Sequence, residues 1–126
     1  MAEQTVVCVI EDNDSVRELI CRALQGAGFA TVGACGGTAG TRAALGSNTA
    51  IVVTDMVMEH GDGVETIMAL RRRAPDVRIL AISGGGERGG RSLLELAECA
   101  GADACLEKPF RVADLITKVT ELALVA

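Results

Sequence analysis

Asp55 ends the apolar run Ala50 to Thr54, and three other polar signals occupy the same kind of place. Glu11 and Asp12 follow Val6 to Ile10, Ser83 follows Val77 to Ile82, and Lys108 comes directly after Ala104 to Glu107. Ligands of open parallel sheets bind beyond the carboxyl ends of the strands. Four separate segments could therefore bring carboxylates, a hydroxyl and an ammonium to one spot. Three carboxylates at close range resist full ionisation. A small hard cation relieves that repulsion. Mg2+ suits such a set because it takes one or two carboxylates, keeps several waters and leaves room for a phosphate oxygen.

The elements that must position these groups can be read from periodicity. Val16, Leu19, Ile20, Ala23 and Leu24 recur at helical spacing and predict a first helix from Ser15 to about Gly26. Ser15 and Glu18 have capping-box spacing, and Gly26 and Gly28 stop the helix. A weakly apolar strand, expected at a sheet edge, follows near Phe29 to Ala34, and Gly37 to Leu45 reads as a poor helix. After Asp55 a loop from Met56 to Gly61 leads to a helix from Gly63 to Arg73, with Val64, Ile67 and Met68 on its core face. The fourth strand ends at Ser83. The glycine-rich stretch Gly84 to Gly90 then leads to a helix from Arg91 to Ala100. Asp103 to Glu107 is the fifth strand, and a last helix from near Arg111 keeps Val112, Leu115, Ile116, Val119 and Leu122 on one face. Five strands alternating with five helices predict one α/β domain over residues 1–126, with a doubly wound five-stranded parallel sheet.

Composition narrows the function classes. With 12 basic and 17 acidic residues the formal charge is −5, which disfavours nucleic-acid binding. No apolar run approaches the ~20 residues of a membrane span. The first residues carry no secretory signal, so a soluble, cytoplasmic protein is expected. Without Trp or Tyr, aromatic stacking on bases or sugars has little to work with. The five cysteines, Cys8, Cys21, Cys35, Cys99 and Cys105, form no CxxC and read as buried reduced thiols. His60 reads as a surface loop residue, since no second histidine supports a zinc site. Arg71, Arg72 and Arg73 close their helix at the negative end of its dipole, as a solvated helix end or a docking patch.

Two nucleotide-binding patterns occur in the glycine stretch. Gly84 to Gly89 satisfies GxGxxG, but after the fourth strand rather than in the first βα turn of a larger sheet. Gly85 to Ser92 approximates a P-loop, with Arg91 where the point charge of a lysine is needed. A strand-to-helix loop accounts for both.

Glu11 and Asp12, Asp55, Ser83, and Lys108-Pro109-Phe110, together with Asp62-Gly63, resemble the receiver domain of two-component response regulators along the whole chain. The resemblance implies the flavodoxin-like strand order 2-1-3-4-5. It implies that Asp55 is the phosphoacceptor and forms an aspartyl phosphate. It implies Mg2+ held by Asp12, Asp55 and the backbone carbonyl of Val57, with Glu11 bound directly or through water. Lys108 would supply charge, and the Ser83 hydroxyl and Gly84 N–H would donate to the phosphoryl oxygens. The donor would be a phosphohistidine on a sensor histidine kinase or a histidine phosphotransfer protein. The phosphorylated form would switch binding to a downstream protein. A cis Lys108–Pro109 bond is also implied. Such a domain is no enzyme beyond its own phosphoryl transfer and slow autodephosphorylation.

The chain departs from the family at several points. Glu59 stands where proline is usual, Gly61 where an apolar residue is usual, and Glu11 where Asp is commoner. Cys105 replaces the aromatic residue three before the lysine, so the usual aromatic lever is missing. A readout through Gly84 to Gly90 and the helix after it is therefore expected. Val57 and Gly85 cannot orient a hydrolytic water, which predicts slow dephosphorylation. The last helix ends with the chain, so a single-domain regulator or phosphorelay intermediate is expected, docking through its last two helices and fifth strand. Two alternatives stand beside it. A pseudo-receiver would bind partners without phosphorylation, and would be marked by loss of Asp55 or Lys108. An aspartyl-phosphate phosphohydrolase would need DxD, and Asp55-Met56-Val57 has no second carboxylate.

Overall fold

The three strongest apolar runs become strands buried on both faces, as the interior of a parallel sheet requires. In β1 (Val6–Ile10), Val7 and Val9 join one core cluster, while Cys8 and Ile10 join the other. The same two-residue alternation splits β3 (Ile51–Asp55) and β4 (Arg78–Ser83). A computed structural model describes residues 4–46, 48–58, 61–84, 87–88 and 91–124. With β2 (Ala30–Ala34) and β5 (Ala104–Glu107), the strands form one parallel sheet in the order β2-β1-β3-β4-β5.

α1 (Asp14–Gly26) and α5 (Val112–Leu124) cover one face through Ile20, Leu24, Leu115 and Val119. α2 (Gly37–Gly46), α3 (Gly63–Arg73) and α4 (Leu93–Ala100) cover the other through Ala44, Ile67, Leu70 and Ala97. Fully burying each large aliphatic side chain contributes about 1.5–3 kcal/mol. α2 is helical despite its glycines because it lies close on the sheet. A Cβ on Gly40 would stand 2.7 Å from the Ile10 side chain.

Several expectations need correction. α1 begins before Ser15, and its cap is Asn13, whose side chain accepts from Val16 N. Leu19 lies on the predicted apolar face yet is 58% exposed. Met68 is 48% exposed, and Thr66 and Leu70 take the core positions of α3. The loop after Asp55 is a ribbon that pairs Val57–Met58 with Gly61–Asp62. Glu87–Arg88 pairs with Arg91–Ser92, so α4 starts only at Leu93. Arg91 and Ser92 belong to this ribbon, so the helix does not open directly after the glycine motif as a dinucleotide-binding turn requires. Cys8 is buried, Cys21 and Cys105 partly so, and Cys35 is exposed; all four are free thiols. Buried thiols were the wrong expectation for Cys35. Glu59, His60, Gly85, Gly86, Gly89, Gly90 and the Cys99 side chain lie outside the described residues.

Candidate functional site

Strand register builds the site. Ile10 pairs with Thr54, Thr54 with Ala81, and Ala81 with Cys105, so four strands end in rank. Glu11 and Asp55 emerge together one residue beyond that row. Ser83 pairs with Glu107, and Lys108 N donates to Ser83 O at 2.7 Å, which extends the β4–β5 ladder to Lys108. The Lys108–Pro109 peptide is cis.

Both oxygens of Asp55 are engaged. The Lys108 ammonium donates to Oδ2 at 2.8 Å, and Val57 N donates to Oδ1 at 3.3 Å. Asp55, Glu11 and Ser83 are all buried. Burial alone would lower the Lys108 ammonium. The hydrogen bond and charge of Asp55, with Glu11 and Asp12 behind it, outweigh burial and hold it above its ordinary value.

Glu11 carries the strain of the site. Burial, then a side-chain hydrogen bond to Asp55 and the charge of Asp55, push its carboxyl up to about 7. Lys108 and the Asn13 N–H pull the other way. The Arg17 guanidinium donates to Glu11 O at 2.7 Å and to Asp14 Oδ1 at 2.6 Å, fixing the turn that presents Glu11 and Asp12.

Glu11, Asp55 and Lys108 are thus brought together. Asp12 stands half-buried within charge range of Lys108, Ser83 lies buried one row on, and Gly84 is exposed just past it. Val57 touches Asp55 by its amide while its residue is 61% exposed. Among the described residues no three His, Cys, Asp or Glu side chains form a ready-made metal cluster. The all-oxygen donors and the unrelieved crowding of Glu11 against Asp55 nonetheless fit a hard divalent cation.

Gly63 is a site residue that motif reading explained only as half of Asp-Gly. A Cβ there would stand 2.6 Å from Met56 Cα and 2.8 Å from Asp55 O. Arg17 had no sequence signal beyond its i,i+3 spacing from Asp14 in the first helical turn.

The profile of the response regulator receiver domain matches residues 7–120. The chain belongs to that family. It is 33% identical over 127 residues to the sensor kinase CckA of Brucella abortus, covering 97% of this chain and 13% of that protein. It is also 33% identical to the transcriptional regulatory protein PrrA of Mycobacterium tuberculosis, over 92% of this chain and 48% of that one. This receiver thus spans about half, or much less, of the length of these curated relatives. Among solved structures, CheY4 of Vibrio cholerae superposes with a TM-score of 0.84 at 21% identity, over 95% of this chain and 99% of that one. A CheY-like receiver domain protein from Methanospirillum hungatei gives 0.85 at 19%, over 96% and 95%. These likenesses show the flavodoxin-like receiver fold. Among the described residues of this receiver no helix is long and apolar enough to cross a membrane.

Proposed function

We propose that this receiver accepts a phosphoryl group on Asp55 from a phosphohistidine, with Mg2+ bound, and that the phosphorylated form switches its binding to a downstream protein. The observation that carries the reading is the buried Asp55 carboxylate held at 2.8 Å by Lys108 beside a crowded Glu11. Asp12, Asp55 and the Val57 carbonyl would hold the cation, with Glu11 direct or through water. Bound there, Mg2+ supplies positive charge to the phosphoryl oxygens. In the transfer an Asp55 oxygen forms a bond to phosphorus as the phosphorus–nitrogen bond of the donor breaks, and the imidazole leaves with that electron pair. Lys108 shifts its ammonium from the carboxylate to a phosphoryl oxygen, and Ser83 and Gly84 N–H donate to the others. Phosphoryl transfer asks mainly for this alignment and charge stabilisation.

A sensor histidine kinase or histidine phosphotransfer protein is the proposed donor, and the cytoplasm the compartment in which they meet. The sensor kinase among the relatives supports a place in a relay. Val57 offers no polar group to a hydrolytic water, which supports a long-lived phosphoryl group. Acetyl phosphate with Mg2+, followed by intact mass, tests the reading. A phosphoryl adduct lost in Asp55→Asn supports it. No adduct at all makes the chain a pseudo-receiver.

A further inference from the structure

We propose that the cleft between α2 and α3 docks an acidic, partly apolar helix of a partner protein. The cleft has a volume of about 780 Å³ and runs along both helices. They have 10 and 11 residues, so the cleft is about 15 Å long. A trough of that shape suits a helical segment lying lengthwise.

Charge selects the occupant. The chain as a whole is −5, yet Arg42, Arg72 and Arg73 line this cleft against the single anion Glu65. All three arginines are exposed, and none has an ion-pair partner among the described residues. An acidic partner is repelled by the net charge of the chain and attracted here, which fixes where and how it lands.

The apolar floor supplies the second half of the match. Leu45 and Met68 both line the cleft, and Met68 is 48% exposed on a helix whose neighbours Ile67 and Leu70 are wholly buried. An exposed methionine is an adaptable contact for an apolar side chain. The Arg71–Arg73 triplet is divided by this geometry. Arg71 turns inward to Gly101 O and Asp103, whereas Arg72 and Arg73 face the cleft. Nothing here depends on phosphorylation of Asp55.

The test uses a capped synthetic helical peptide with leucine at helical spacing and glutamate elsewhere, titrated into the isotope-labelled, unphosphorylated chain. Saturable amide shifts confined to α2 and α3 are expected. The same peptide with lysine for glutamate should give none. Arg42→Glu with Arg72→Glu should weaken binding at least tenfold, and the milder Arg42→Gln and Met68→Gln several-fold, with the remaining amide spectrum unchanged. Absence of saturable shifts at millimolar peptide, or shifts centred on α1 and α5, overturns the proposal. So does ATP reproducing the shifts where the peptide fails, since the cleft would then take a small anion.

Discussion

The Lys108 ammonium reaches Asp55 Oδ2 at 2.8 Å across 53 residues of chain. The pair is asymmetric: the Asp55 side chain is 7% exposed and that of Lys108 is 34%. The carboxylate is the fixed partner, while the ammonium sits in a half-open position it can leave. A divalent cation and the ammonium would compete for the same negative charge.

Lys108→Met should therefore bind Mg2+ several-fold more tightly while accepting phosphate from acetyl phosphate at least tenfold more slowly. Calorimetry gives the first and intact mass the second. Unchanged Mg2+ affinity would remove Lys108 from the electrostatics of the site.

Stability should fall in strong alkali through Cys8. Burial, with Cys21 adding to it, pushes this thiol from 9.0 up to about 12. A raised folded value means the stabilisation is intact below pH 9 and is lost as pH rises toward 12. The slope for one such group is about 1.4 kcal/mol per pH unit across that window. Urea midpoints measured from pH 8 to 11 should drop, and Cys8→Ala should start lower but fall less steeply. Parallel slopes for the two proteins would contradict the assignment.

Arg71 should matter far more than its two neighbours. Its Nε donates to Gly101 O at 2.7 Å, and its guanidinium also reaches Val77 O and Asp103. Asp103 in turn accepts from Ile79 N at 2.7 Å. Hydrogen bonds to charged groups contribute roughly 1.5–3 kcal/mol, so Arg71→Met should lose about that much or more. Arg72→Ala and Arg73→Ala should stay within about 0.5 kcal/mol. Denaturant midpoints at unchanged slope are the readout, and equal losses at all three positions would refute the division.

Gly63→Ala should destabilise by about 1–3 kcal/mol, the cost of forcing atoms into a filled space. It should also slow phosphorylation, because the displaced atoms belong to Asp55 and Met56. Gly26→Ala is the control. Its Cβ would meet nothing within 4 Å, and helix propensity favours Ala by about 0.5–1 kcal/mol. Thermal unfolding should move the two variants in opposite directions.

The sheet was legible because burial on both faces writes itself as unbroken apolar runs, and Asp55, Ser83 and Lys108 interrupt those runs where they end. Helix faces were less legible. Leu19 and Met68 have the right spacing yet stay exposed, because spacing gives the apolar arc of a helix and not which part of that arc the sheet covers. The cap at Asn13 was missed because Ser15 and Glu18 make an equally good local pattern, and backbone direction decides between them. The Arg71–Asp103 hub joins residues 32 apart, and no local pattern marks such a partner. Arg17 has a readable i,i+3 partner in Asp14, but its contact with Glu11 was invisible because it acts on a backbone carbonyl that every residue possesses.

α3 is anchored at both ends. Gly63 packs its start onto the backbone of Asp55 and Met56, and Arg71 ties its end to Gly101 and Asp103. One inserted residue would turn everything beyond it by about 100° and advance it about 1.5 Å. Both anchors could not then survive. The outward side chains of α3 can be exchanged without disturbing the fold, but its residue count cannot change by one.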